Sequence, residues 1–335
     1  MPCRAVRQPA LWHDSVICNL PTSQPPRLTL LATASALLIA ALWAAMPTAI
    51  KFSADTLPPI AGATVRFGIA TFALGGWCVM TGQKLWPRRN EILPLAFIGL
   101  LTFMQILLFT LAVAWSSASH ATILLNTYVF LVIFLEHFVT KTDRLTILKA
   151  LGLIACAIGA LLTLSASGFT EFPQAIERTF DSSSLTGDLT MLVSAAVLSI
   201  LILATKMTVQ TVSPIKLVFW KSTLTIPLFL TVSLYFEGMF IFQTENYTQP
   251  VLWSLAYQGI IVSTFCFVVQ THLLQRYSAT QISSFNFSTP LFGLLFAVLL
   301  RHDPVTLLLA ISGFCIAIGI YLSTNSRPSK AANQG

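Results

Sequence analysis

The sequence predicts an all-α polytopic membrane protein with ten transmembrane helices arranged as two inverted five-helix repeats. Composition, block length and an internal duplication predict it. Of 335 residues, 55% are hydrophobic and 9% are charged, against about 25% charged in soluble domains. So few charges cannot cover a water-facing surface. The apolar residues fall in blocks of about twenty, enough to cross roughly 30 Å of hydrocarbon at 1.5 Å per residue.

Residues 1–27 hold Pro2, Pro9, Pro21, Pro25 and Pro26 and lack the apolar core and cleavage site of a signal peptide. They read as an irregular cytoplasmic tail. Apolar blocks follow at 28–50, 60–80, 92–114, 120–139 and 145–165, which make a first repeat over 28–165. A longer gap at 166–186 reads as an extracytoplasmic linker. A second repeat over 187–323 holds blocks at 187–205, 215–236, 251–271, 280–300 and 304–323, and 324–335 is a cytoplasmic C-terminal tail. The other gaps are short and rich in Gly, Pro, Ser, Asn or charge, as helical hairpins require.

The formal net charge is +7, but the basic residues form no continuous patch, which excludes a nucleic-acid partner. Their distribution reads instead as membrane orientation. With both termini inside, only Lys51, Arg178 and Arg301 lie outside, Arg66 and Lys221 lie within the membrane, and every other basic residue is cytoplasmic, as the positive-inside rule demands. The expected location is a bacterial cytoplasmic (inner) membrane. Six cysteines occur with no Cys-x-x-Cys pair, so they read as small core residues. No metal site, cofactor or catalytic residue is expected.

A constant shift brings Lys51 onto Lys206, Pro59-Ile60 onto Pro214-Ile215 and Arg66 onto Lys221. A slightly longer one brings Asn126 onto Asn286, Asp143 onto Asp303 and Gly159 onto Gly319. An odd number of helices per copy turns the second copy over in the membrane. Such inverted repeats carry solute sites near the midplane, where the halves meet.

The candidate solute-binding residues are Arg66, Lys221, Trp43, Gln105, Asn126, Tyr128 and Asn286. Arg66 and Lys221 each lie roughly 10 Å along a helix from a proline; they either face a cavity, with a field suited to carboxylate or phosphate, or snorkel to the headgroups. Asn126 and Asn286 either bond between helices or face solute. Gln105, Tyr128, Tyr257, Gln258, Gln270 and Gln281 are further polar groups at membrane depth. Trp43 either stacks on a solute or fills the core. Glu136 is a candidate for proton coupling, or an interfacial carboxylate paired with Lys141. His120 and His302 read as solvated histidines. Gly68, Gly75, Gly76, Gly152 and Gly159 are expected to allow close helix approach. Asn246-Tyr247-Thr248 is a glycosylation sequon on an outer loop.

Several stretches resemble the drug/metabolite transporter superfamily, in particular its ten-helix members built from two EamA domains. They are Leu42-Trp43-Ala44 followed by Lys51, Val65-Arg66-Phe67, Ala114-Trp115-Ser116-Ser117-Ala118, Leu124-Leu125-Asn126-Thr127-Tyr128, Asp143-Arg144-Leu145-Thr146, Tyr277-Ser278-Ala279-Thr280 and Thr289-Pro290-Leu291. The resemblance covers about 28–323, departing at Ala44, Val129, Asp143 and Asp303. It implies a secondary transporter of small polar metabolites, amino acids or related organic acids, working outward by alternating access. The alternatives are a nucleotide-sugar or sugar-phosphate exchanger of the same superfamily and a membrane-embedded enzyme acting on lipid-linked substrates. The acids are dispersed singly, which disfavours the enzyme, and no Gly-x-x-x-x-Gly-Lys loop is present for ATP binding. The partners are a small-molecule substrate and the lipid bilayer, as monomer or homodimer. Cysteines introduced at Glu177 and Glu245 should react with an impermeant reagent from outside, and one at Arg88 should not; the opposite labelling overturns the orientation.

Overall fold

The computed structural model describes residues 29–116, 118–136 and 182–301, with scattered positions within 151–162 and 307–318. The expected tails, most of blocks five and ten, most of the linker, Lys141 and His302 lie outside the described residues. Among those described, all regular structure is helical, and six spans are long and apolar enough to cross a membrane: Leu30–Ala54, Pro59–Thr81, Arg89–Trp115, Leu185–Thr208, Pro214–Phe236 and Gln249–Arg276.

The first span comprises α1 (Leu30–Ala44), opened by the Thr29 side chain accepting from Ala32 N, and α2 (Met46–Ala54). Pro47, which has no amide hydrogen to donate, marks the join. The helix α3 (Pro59–Thr81) begins on a proline and ends at Gly82, whose left-handed φ of 66° suits a residue without Cβ. Next comes α4 (Arg89–Trp115), where Arg88 N donates to Glu91 Oε2 at 2.8 Å. The fourth apolar block forms two pieces, α5 (Ala118–Leu125) and α6 (Tyr128–Leu135).

In the second half, α7 (Ser182–Thr208) begins inside the stretch expected as linker, and α8 (Pro214–Phe236) again opens on a proline. The next span is α9 (Gln249–Ala256), a π-helical stretch over Tyr257–Cys266, and α10 (Phe267–Arg276). The ninth block is also broken, into α11 (Ala279–Ser284), a 3-10 segment over Phe285–Ser288, and α12 (Thr289–Arg301). Both breaks fall at asparagines expected to lie inside continuous helices. Asn126 Nδ2 donates to Thr122 O at 2.7 Å, the local side-chain bond that competes with a helical ladder.

The halves join along two seams, α4 against α7 and α3 against α8. At the second, the Phe67 and Phe229 rings stack at 5.7 Å and Phe103 meets Phe229 edge-on at 4.8 Å. Phe72, Met80, Leu93 and Trp253 point outward, as a lipid-facing surface requires. Cys78 and Cys266 are buried and free.

Of the expected glycines, Gly68, Gly75 and Gly76 are not close approaches. A Cβ on Gly68 or Gly76 would meet nothing within 4 Å, and on Gly75 only Phe219 at 3.6 Å. A Cβ would be tightest on Gly293, 2.3 Å from the Thr122 side chain, on Gly259, 2.7 Å from Ile69, and on Gly187, 2.8 Å from the Trp115 backbone. Counting glycines in one helix could not reveal which would meet a neighbour. Gly187→Ala should therefore lower stability by about 1–3 kcal/mol through backbone displacement, read as a lower unfolding temperature in detergent. Gly68→Ala should leave it unchanged or raised.

Candidate functional site

A cavity of about 110 Å³ opens between the halves, and all seven candidate solute-binding residues line it: Trp43, Arg66, Gln105, Asn126, Tyr128, Lys221 and Asn286. The same local device places both cations. Pro59 and Pro214 open α3 and α8, where a missing N–H costs nothing because first-turn amides have no helical partner. Two turns further on, each helix reaches its cation.

Arg66 is 1% exposed and Lys221 4%, so neither snorkels to the headgroups. Arg66 Nη1 donates to Gln258 Oε1 at 3.4 Å, while Nε and Nη2 have no hydrogen-bond partner among the described residues. Its guanidinium carbon lies 5.1 Å from the Phe67 ring centre. Lys221 Nζ sits 3.8 Å above the Phe267 ring, and Trp43 meets the same ring edge-on at 6.2 Å. A cation at a helix centre costs about 3 kcal/mol or more, and a desolvated cation–π contact returns about 2 kcal/mol. The two cations are thus only partly compensated.

The neutral candidates are engaged with the protein. Gln105 Nε2 donates to Ser194 Oγ at 3.2 Å, and Ser194 Oγ donates to Gln105 O at 3.1 Å. Asn286 Nδ2 donates to the Tyr128 hydroxyl, and Asn126 bonds its own helix. Gln258 Nε2 donates to Ser53 Oγ at 3.1 Å and Ser254 Oγ at 2.9 Å, which orients its carbonyl toward Arg66. The Tyr257 hydroxyl donates to Leu42 O, Gln270 lines the cavity, and Gln281 accepts from Ser278 N as a helix cap.

No carboxylate lines the cavity among the described residues. Glu91 pairs with Lys216 at 3.0 Å. Glu237 accepts from Ile60 N at 2.8 Å, Ala61 N at 2.7 Å and Ser233 Oγ at 2.9 Å, holding the start of α3 to the end of α8. Glu136 accepts from Ala279 N and Thr280 N at 3.2 Å and from the Thr280 hydroxyl, so it ties α6 to the start of α11.

Three features escaped the sequence reading. His120 is not merely solvated: its Nδ1 lies 3.0 Å from Asp188 Oδ2, and Asp188 also accepts from the Ser116 hydroxyl. Asp188 is fully buried, and its place within the sixth apolar block was the available signal. The π-helical stretch was invisible because its residues have ordinary helical composition; it turns Val262 and Ser263 into the cavity, and such stretches concentrate at functional sites. Thr102, Thr205 and Thr289 complete the lining, but threonine is too common in apolar helices to stand out.

A multi-pass bundle of apolar helices around an internal cavity defines an integral membrane protein. The chain belongs to the EamA-like transporter family, whose model matches residues 30–165 and again 185–325. It is 23% identical over 286 residues to the uncharacterized transporter YoaV of Bacillus subtilis, spanning 84% of this chain and 93% of that protein. An uncharacterized transporter of Archaeoglobus fulgidus is 24% identical over 289 residues, spanning 85% and 95%. A solved crystal structure, described only as that of a protein, shares the fold with a TM-score of 0.67 at 16% identity, covering 90% of this chain and 99% of its own. The chain is a membrane transporter. Replacing Asp188 with alanine should cost about 2 kcal/mol by leaving buried hydrogen-bonding groups unpaired, seen as a lower unfolding temperature. Glu245→Ala, on the exposed loop, should leave that temperature unchanged.

Proposed function

We propose that the chain is a secondary transporter that carries small polar metabolites, amino acids or related organic acids, out across a bacterial cytoplasmic membrane. The observation that carries this reading is the pair of buried, partly compensated cations facing one cavity between the halves. In this reading the ten helices form two inverted repeats, both termini are cytoplasmic, and transport proceeds by alternating access. Arg66, Lys221 and Trp43 contact the solute, while Gln105, Asn126, Tyr128 and Asn286 hold the cavity's shape.

Paired features support the duplication. The helices α3 and α8 each have 23 residues, open on a proline and carry their cation at the same depth. Lys51 Nζ donates to Ala114 O at 3.2 Å, at the end of α4, and Lys206 Nζ donates to Leu274 O and Tyr277 O at 2.6 Å, at the end of α10. Apolar blocks four and nine break at Asn126 and next to Asn286. The family model also matches twice.

An acid from the opposite half secures each of two corners. Asp188 of α7 holds the turn between α4 and α5, and Glu136, after α6, holds the turn between α10 and α11. Under the inverted arrangement these ties lie at opposite membrane faces, so releasing one opens one side. Glu136 then serves as a mechanical tie rather than a proton carrier.

The cavity is smaller than the roughly 300–1,000 Å³ of drug-sized sites, which favours a small metabolite over a nucleotide sugar. Metabolite profiling of a deletion strain beside an overexpressing strain identifies the solute through a reciprocal change in its intracellular level. In proteoliposomes carrying that solute, Arg66→Gln and Lys221→Met should each reduce flux by about tenfold or more, as loss of a desolvated charge contact predicts, with unchanged folded yield. Undiminished flux in both variants would remove the proposed site.

A further inference from the structure

We infer that the solute is a net anion with at least two negative charges on a short carbon skeleton, such as a dicarboxylate or a phosphate ester, and not a zwitterion. Of the two solute classes proposed above this selects organic acids over amino acids, and it rests on that reading for the solute's fate, though not for its binding.

The argument is a charge balance. Arg66 and Lys221 face one cavity of about 110 Å³. Among the described residues, Arg66 keeps two buried donor atoms without a hydrogen-bond partner, and Lys221 Nζ rests on the Phe267 ring face, which neutralises no charge. A buried cation of this kind calls for a counter-ion. No acid among the described residues is placed to supply it. Only Glu136 and Asp188 lie inside apolar blocks of the sequence; Glu136 is bound to the start of α11 and Asp188 to Ser116 and His120. Neither lines the cavity. The counter-ion must therefore arrive with the solute.

A zwitterion fits this lining poorly. Its carboxylate would satisfy one cation, but its ammonium would enter the field of the other with no carboxylate beside it. The Gln258 amide oxygen already accepts from Arg66 Nη1, and an amide oxygen such as that of Gln105 offers a dipole, not the full negative charge that an ammonium between two cations calls for. One stretch of wall, Trp43, Ile106, Phe109 and Phe267, is apolar and suits carbon between two charged ends.

The test uses the full-length chain purified in detergent, with thermal stabilisation measured against succinate, glycerol 3-phosphate, leucine and putrescine, and sodium chloride at matched ionic strength as the blank. Succinate or glycerol 3-phosphate should raise the unfolding midpoint, and whichever acts more strongly identifies the anionic group as carboxylate or phosphate. Leucine and putrescine should not raise it. Arg66→Gln and Lys221→Met should each weaken anion binding by about thirtyfold or more, while Arg66→Lys and Lys221→Arg should retain part of it, which separates lost charge from lost folding. The inference is overturned if neither anion stabilises the protein, if leucine or putrescine stabilises it more than both anions, or if the neutral variants bind anions like the parent. An anion that binds but is not carried in proteoliposomes would sink the transport reading and leave the anion site standing. Carriage of leucine would do the reverse.

Discussion

A polar group inside hydrocarbon has no water to turn to, so every backbone amide and every charge must find its partner within the protein. This constraint shapes the chain from end to end. It makes the spans helical, because a helix satisfies its own backbone. It puts prolines at the first turns of α2, α3, α8 and α9, where a lost donor is harmless. It also turns the few charged side chains into fasteners: Lys51 and Lys206 seal carbonyls at helix ends, and Glu136 and Glu237 seal amides at helix starts.

Against that background, Arg66 and Lys221 stand apart. The other buried charges, Glu91, Glu136 and Asp188, have hydrogen-bonding partners of opposite polarity. The two cavity cations have an amide oxygen and two ring faces. A fold that satisfies its other buried charges so thoroughly leaves these two for something that comes and goes. The same logic sorts the neutral residues around them, whose hydrogen bonds are spent on protein and whose contribution is the cavity's form.

The proposed alternation draws on the same ties. Asp188 and Glu136 each bind a corner of the opposite half, with few and short contacts, while the apolar seams of α4 with α7 and α3 with α8 are broad. Apolar surfaces can slide with little directional penalty, but hydrogen-bonded corners are either made or broken. That contrast gives the bundle discrete states in place of a continuous range.

The sequence by itself determined the solvent, the helical class, the positions of the spans, and both intramembrane cations with their neighbours Trp43, Asn126, Tyr128 and Asn286. These follow from composition, block length and the repeated prolines, which are local properties. The tertiary structure alone decided that these residues meet around one cavity, that Asn126 and Asn286 mark helix breaks, and that Asp188 holds Ser116 and His120. It also moved the close packing from Gly68 and Gly76 to Gly187, Gly259 and Gly293. The physical reason is that a helical sequence repeats its faces with a fixed period but does not say which neighbour each face will meet. Partners such as His120 and Asp188, far apart along the chain, become visible only once the helices are packed.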